Sequence, residues 1–291
     1  MNDDDLGTRS FVAHRELLFS LVYTMLGSVA DTEDVLQESW LSWASADRAR
    51  VENPRAYLVR IAINKALASR AALSRRRESY VGQWLPEPLV TDLVDPVLRE
   101  ESASLALLVV LESLSPTERA VFVLHDVFGH PHADIAEMLG RRTDSVRQLA
   151  RRARQHVRAR RPRYRVDPSV QRRATERFLA ATVGGDIEEL LRVLAPDVTL
   201  WTDGGGKGPA AALHPVRGRA AVAELLLTVG AAARARFEIG YRRVNGDPAA
   251  LLFSGDAPFA VLVLDLTADG DRVTGVYSVT NPDKLSHVTV S

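Results

Sequence analysis

The sequence predicts a multidomain chain: two all-α blocks, a helical bundle and a helix-turn-helix, followed by an α+β domain. Three observations carry this. Apolar residues recur at helical spacing through the first half, and caps, glycines and prolines cut that stretch into separate helices. An arginine-loaded helix follows a short turn at Gly140. The last part runs from helices into short β-rich stretches divided by turns such as Asn245-Gly246 and Asp269-Gly270. The boundaries read as 6–80 for the bundle, 81–100 for a linker, 101–165 for the helix-turn-helix block and 166–291 for the C-terminal domain.

In the first block, Phe11, Leu17, Leu18, Leu21, Val22, Met25 and Leu26 form one helical stripe that ends at Gly27. Asp31 or Thr32 is expected to cap the next helix, with Glu33 and Asp34 in its first turn. Val35, Leu36, Trp40 and Trp43 make its inner face, and Glu33, Asp34, Gln37 and Glu38 its outer one. A polar loop over 45–53 leads to Pro54, which suits a first helical turn. The next stripe, Tyr57, Leu58, Ile61, Ala62 and Leu67, interleaves with Arg55, Arg60, Asn64, Lys65 and Arg70. A composition break is expected at Ser74-Arg75-Arg76-Arg77, and after it Trp84-Leu85-Pro86-Glu87-Pro88-Leu89. Two prolines this close forbid a helix, and the apolar Trp84, Leu85 and Leu89 beside them need a docking surface.

The second block opens on the apolar helix Leu105–Leu111. Ser115, Pro116 and Glu118 then form a capping box, ahead of Val121, Phe122, Leu124 and Val127. Ile135, Met138 and Leu139 make a short helix closed by Gly140, and Thr143 is expected to cap the last one. There Val146, Leu149, Ala153 and Val157 face inward while Arg147, Gln148, Arg151, Arg152, Arg154 and Arg158 face out. A helix so charged after a tight turn suits a DNA major groove. Its tail, 158–165, reads as the hinge into the next domain. His125, His130 and His132 lack partners at metal-ligand spacing, so no metal is expected.

Composition narrows the function classes. With 46% hydrophobic and 25% charged residues the chain is an ordinary globular protein. A net charge of +0 means that the basic helix is balanced by acidic segments elsewhere. Cysteine is absent, which excludes disulfides, thiol nucleophiles and cysteine zinc sites. The longest apolar run, Leu105–Leu111, is far too short to span a membrane, and the acidic start is no signal peptide. The expectation is a cytoplasmic protein with no membrane partner and no cofactor.

The order of parts then matters: acidic helix, loop, basic helix with IAIN (61–64), linker, LSPTERAVFVLHDVFGHPHADIAEMLG (114–140) and TDSVRQLARRAR (143–154). Over roughly 6–163 this resembles the bacterial alternative sigma factors of the extracytoplasmic-function type, with their second and fourth regions. The resemblance implies RNA polymerase core as partner, through the β′ clamp helices and the β flap, together with promoter DNA. By it, Asp31, Glu33, Asp34, Gln37 and Glu38 meet the clamp helices, and Arg60, Asn64 and Lys65 serve an unpaired base of the −10 element. Arg147, Gln148, Arg151, Arg152 and Arg154 serve the −35 element. The chemistry agrees, since an amide flanked by cations suits a flipped base, while Arg and Gln suit guanine and adenine edges. Arg151 departs from the aromatic or small residue of many members, which points to a different −35 preference.

The remaining residues form helices at 170–179 and 186–194, a strand Val198–Trp201 and a helix Arg219–Thr228. Strands follow at Phe237–Val244, Ala249–Phe253, Phe259–Leu266 and Arg272–Thr280, read as a curved antiparallel sheet. This order is similar to the SnoaL-like cone of the nuclear-transport-factor superfamily. Asp203, His214, Tyr241 and Asp265 are candidate acid–base groups there, but no spacing pairs them, so no enzyme is expected. The loop Asp203–Lys207 lacks the spacing of a nucleotide cradle. Three segments together resemble the sigma group in which a fused SnoaL-like domain replaces a separate anti-sigma protein: Trp84-Leu85-Pro86, Asp203-Gly204 with Lys207, and Asn281-Pro282-Asp283-Lys284. That resemblance implies regulation in cis, with room for a small ligand in the C-terminal pocket. Two rivals stay open: a ligand-responsive helix-turn-helix regulator, and a SnoaL-like enzyme fused to DNA-binding modules.

Overall fold

The computed structural model describes residues 3–90, 103–160, 166–209, 211–233 and 237–289. Much of the expected linker (91–100) and the end of the expected hinge (161–165) lie outside the described residues. The chain divides into two compact units: the described parts of 1–78, 96–103 and 110–162, and those of 79–95, 104–109 and 163–291.

In the first unit α1 (Asp3–Leu26), α2 (Val29–Ala44) and α3 (Pro54–Glu78) pack on one another around Leu18, Leu21, Met25, Val35, Leu36, Trp43, Leu58, Ala62 and Ile63. The Trp43 indole N–H donates to the Gly7 carbonyl (2.8 Å), so its one polar atom is satisfied inside the bundle. The cap of α2 is Ser28, whose hydroxyl accepts from the Asp31 amide; Asp31 and Thr32 lie inside the first turn instead of capping it. Gly27, at φ +69°, lets the chain turn so that the helix is capped three residues before Asp31. Helix α3 also runs past the expected break to Glu78. Arg70 and Leu73 are buried there, so the arginine run extends a packed helix rather than ending it.

Helix α4 (Leu105–Leu111) precedes α5 (Pro116–Phe122), where the Ser115–Glu118 capping box forms on both sides. One π-helical turn (Val123–Val127) leads to α6 (His132–Met138) and α7 (Thr143–Arg160). Gly140 is left-handed at φ +60°. Thr143 is the first helical residue rather than the cap, because the Val146 amide bonds the Arg142 carbonyl. Val146, Ala150, Ala153 and Val157 are buried, and α7 packs on α5 and α6.

The second unit is built on a six-stranded sheet in the order β2-β1-β6-β5-β4-β3. Its strands are β1 (Leu194–Asp203), β2 (Val216–Arg217), β3 (Glu238–Val244), β4 (Asp247–Ser254), β5 (Ala257–Leu266) and β6 (Val273–Val279). The sheet is mixed, correcting the antiparallel expectation: β1 runs parallel to β6 because the chain crosses over through α10 (Arg219–Ala233) and the β3–β5 meander. Helices α8 (Pro168–Gly184), α9 (Ile187–Val193) and α10 cover one face, packing Phe178, Leu190 and Val222 on Ala250, Leu262, Leu264 and Val276. The alternate residues Leu251, Phe253, Val261, Val263 and Val279 point to the other face, where Leu85, Leu105, Leu285 and Val288 bury them. Central strands apolar on both sides therefore need two covers, and the second combines Leu85 and Leu105, which precede the domain, with its own terminal segment.

Candidate functional site

The clearest constellation lies on that second face. Asp203, last residue of β1, is fully buried (0% exposed) and its carboxylate accepts three hydrogen bonds. One oxygen accepts from the Tyr80 hydroxyl (2.5 Å); the other accepts from the Leu85 amide (2.8 Å) and the Lys284 ammonium (2.7 Å). Lys284, on the short α11 (Pro282–Leu285), also donates to the Leu85 carbonyl and lies 4.2 Å from the Trp84 ring centre and 5.1 Å from that of Tyr80. Burial, and then the bond to Asp203, push the Tyr80 hydroxyl well above its ordinary pKa, so it remains a donor. Its oxygen accepts from the Asn281 amide (2.8 Å).

Backbone shape makes this possible. Gly205 (φ +59°) and Gly206 (φ +72°) curl the loop so that a Cβ on Gly205 would lie 2.3 Å from the Asn281 amide nitrogen. The Gly204 carbonyl accepts from the Lys207 and Gly208 amides, and Lys207 reaches out to Asp283 (2.6 Å). Downstream, the buried Asn245 (φ 52°) exchanges bonds with Leu89: its side chain accepts from the Leu89 amide and its own amide donates to the Leu89 carbonyl. His287 donates to the Pro88 carbonyl (2.7 Å). Tyr80, Leu85, Pro88 and Leu89 are thus each tied to the sheet, its turns or its terminal segment, and Leu85 alone buries a side chain worth about 2 kcal/mol.

Two further surfaces lie in the first unit. On α2, Asp31 pairs with Arg76, Glu33 with Arg15 and Glu38 with Lys65, while Asp34 and Gln37 are exposed beside Leu41, itself 66% exposed. On α7, Arg147, Gln148, Arg151 and Arg152 are exposed; Arg147 leans on Asp144, Arg152 on Glu118 and Arg154 on Asp126. Arg60 stacks over Tyr57 at 5.0 Å. A cleft of about 760 Å³ is lined on one side by Asn53, Arg55, Tyr57 and Arg60, and on the other by His130, Glu137 and Met138.

Family comparison matches the descriptions "Sigma-70 region 2" to residues 11–77, "Sigma-70, region 4" to 104–157 and "SnoaL-like domain" to 175–290. The chain is 36% identical to the ECF RNA polymerase sigma factor SigJ of Mycobacterium tuberculosis, with 95% of this chain and 92% of that protein aligned. The chain belongs to the extracytoplasmic-function sigma factors. A second relative of this sigma factor, the probable ECF sigma factor SigI of the same species, is 31% identical across 98% of this chain and 97% of its own. The crystal structure of M. tuberculosis SigJ superposes with a TM-score of 0.74 at 34% identity, covering 96% of this chain and 98% of that one. The sigma factor therefore carries helical sigma domains followed by an α+β SnoaL-like domain.

All the residues singled out for regulation lie in one unit of this sigma factor, and Asp203, Leu85, Lys284, Trp84, Asn281, Lys207 and Asp283 form a single network. Sequence reading missed Tyr80, Asn245 and His287. Tyr80 borders the apolar linker and was a legible signal; Asn245 looked like a turn residue, and its buried side chain is visible only in the fold. Among the described residues there is no group of three or more His, Cys, Asp or Glu side chains that could hold a metal ion. The His125 and His132 rings lie 4.0 Å apart, tilted by 31°, and the His125 ring meets the His130 carbonyl. Among the described residues no helix is long and apolar enough to cross a membrane.

Proposed function

We propose that this sigma factor, acting in the cytoplasm, carries core RNA polymerase to promoters and that its C-terminal domain controls it in cis. In this reading Asp31, Glu33, Asp34, Gln37 and Glu38 engage the β′ clamp helices, and the region-4 block engages the β flap. Arg60, Asn64 and Lys65 hold the unpaired −10 strand. Arg147, Gln148 and Arg151 read the −35 duplex, with Arg152 and Arg154 on its backbone. Supporting the DNA-facing role of this helix, Arg147, Gln148, Arg151 and Arg152 are exposed on α7, while Arg154 is half-buried; Arg147, Arg152 and Arg154 are each braced by an acid of their own domain, Asp144, Glu118 and Asp126.

One observation carries the regulatory half: Asp203 holds the backbone of Leu85, so the first, described part of the segment that follows the bundle is folded onto the C-terminal sheet. A carboxylate already filled by Tyr80, Leu85 and Lys284 favours docking over acid–base work, which supports a regulatory rather than an enzymatic domain. Run-off transcription with purified core tests both halves. A chain ended before Val166 is expected to differ from the full chain in promoter output. Equal output would make the domain a passenger, and no promoter-dependent product from either form would sink the sigma reading of these residues.

A further inference from the structure

The first unit contains a second buried network. Glu112 follows α4, and its carboxylate receives Arg119 from α5 and both Arg70 (3.2 Å) and Arg77 from α3. The same three guanidiniums cap the last turn of α1. Arg119 donates twice to the Thr24 carbonyl (3.0 and 2.8 Å), Arg70 to Met25 (2.8 Å) and Arg77 to Leu26 (2.8 Å). Those carbonyls have no donor within their helix and sit at the negative end of its dipole, so cations suit them. α1 and α3 belong to region 2, whereas Glu112 and Arg119 belong to region 4. Arg119 is 0% exposed. Burial lowers its pKa to about 10, against the pull of Glu112, so it is charged at neutral pH. Burial pushes the Glu112 carboxyl up, but Arg119, Arg77 and Arg70 together hold it below the usual range.

A second contact joins the same two regions. The Asn64 amide donates to the Met138 carbonyl at the end of α6 (3.1 Å), as well as to Arg60 of its own helix (2.8 Å). An acceptor carbonyl facing that amide is what a base edge would also offer. The cleft with Asn53, Arg55, Tyr57 and Arg60 on one wall has region 4 as its other.

We propose that region 4 is an intrachain plug of the strand-capture surface, with the Met138 carbonyl standing where a base would go and the Glu112–arginine network as its latch. The proposal rests on the reading of Asn64 as a −10 contact. The latch is built to release. Three guanidiniums and one carboxylate lose hydration in the closed form and regain it on opening, which offsets their mutual attraction as apolar contacts would not.

The chain lacks cysteine, so spin labels at Val12→Cys and Ala159→Cys, both exposed positions, report the separation of the two regions in the full-length protein by electron–electron resonance. Glu112→Gln keeps the shape but leaves the arginines facing one another. Arg77→Gln, at the more exposed edge, is the milder variant should the first fail to fold. Either is expected to add a longer-distance population. Each should also bind a fluorescein-labelled single-stranded 12-nucleotide pool about tenfold more tightly, a gain that vanishes when Asn64→Ala is added. Unchanged distances in folded variants overturn the latch. Longer distances without tighter binding overturn the plug. A gain that survives Asn64→Ala overturns the −10 reading of Asn64 and leaves the latch standing.

Discussion

Replacing Lys284 with Met separates a docked linker from one that merely lies near the sheet. The ammonium is the only charged partner of the buried Asp203 carboxylate among the contacts described, and it also bridges to the Leu85 carbonyl and the Trp84 ring. Its loss leaves the carboxylate with two neutral donors, Tyr80 and the Leu85 amide. Removing one member of a buried pair costs about 3–5 kcal/mol; the lower figure applies here because the lysine side chain is 11% exposed. About 3 kcal/mol corresponds to roughly a 150-fold faster opening-limited exchange of the Leu85 amide. Hydrogen exchange resolved at that amide measures it directly. Adding Asp203→Asn should recover part of the loss, because no bare charge then remains. Leu85 exchange at the wild-type rate in Lys284→Met, or strictly additive effects of the two substitutions, would refute the reasoning.

Three other outcomes are expected. Gly205→Ala should lower the thermal midpoint of the C-terminal domain, by 1 kcal/mol or more in stability, since φ +59° and a Cβ 2.3 Å from Asn281 cannot both be accommodated; calorimetry reads it. Arg147→Ala should cost about 1–3 kcal/mol at one −35 position and relax preference there, whereas Arg152→Ala should weaken all sequences alike, as seen in binding to a panel of duplexes. Burial, with Arg55 adding to it, depresses the His130 pKa, so the neutral ring favours the folded state. Its contribution is complete above the unfolded value near 6.5 and fades as pH falls through the lower folded one, with Asp134 opposing. His130→Gln should flatten that part of the pH dependence of unfolding, and an unchanged profile would count against it.

Much of the fold was legible because its signals are local. The Ser115 capping box, the left-handed Gly140 and the period of α7 each act within a turn or two. The strands were legible as apolar runs, but a run apolar on both faces does not say what covers each face. Leu85 and Leu105 show why: part of the cover comes from segments distant in the chain. The parallel pairing of β1 with β6 was hidden for the same reason, since register is set by tertiary packing. In the sites, charge and amide patterns marked the exposed residues of α2 and α7. The Glu112 network was missed because each member reads as a surface charge on its own helix. Arg119, between the capping box and Phe122 on a face otherwise apolar, was the one visible hint.

The docked linker is also a ruler. Residues 79–104 can reach about 90 Å when fully drawn out. With Leu85 and Leu105 both buried on one face of a six-stranded sheet, their separation is limited to that sheet's width, about 25 Å. Elements named −35 and −10 lie some 25 base pairs apart, about 85 Å along straight duplex. Allowing about 15 Å for the radius of each reading domain, the free span is long enough and the docked one falls short. On the function proposed above, a promoter grasped at both elements would pull on the bond between Asp203 and Leu85. On that same reading, the choice between storage and initiation is a matter of length.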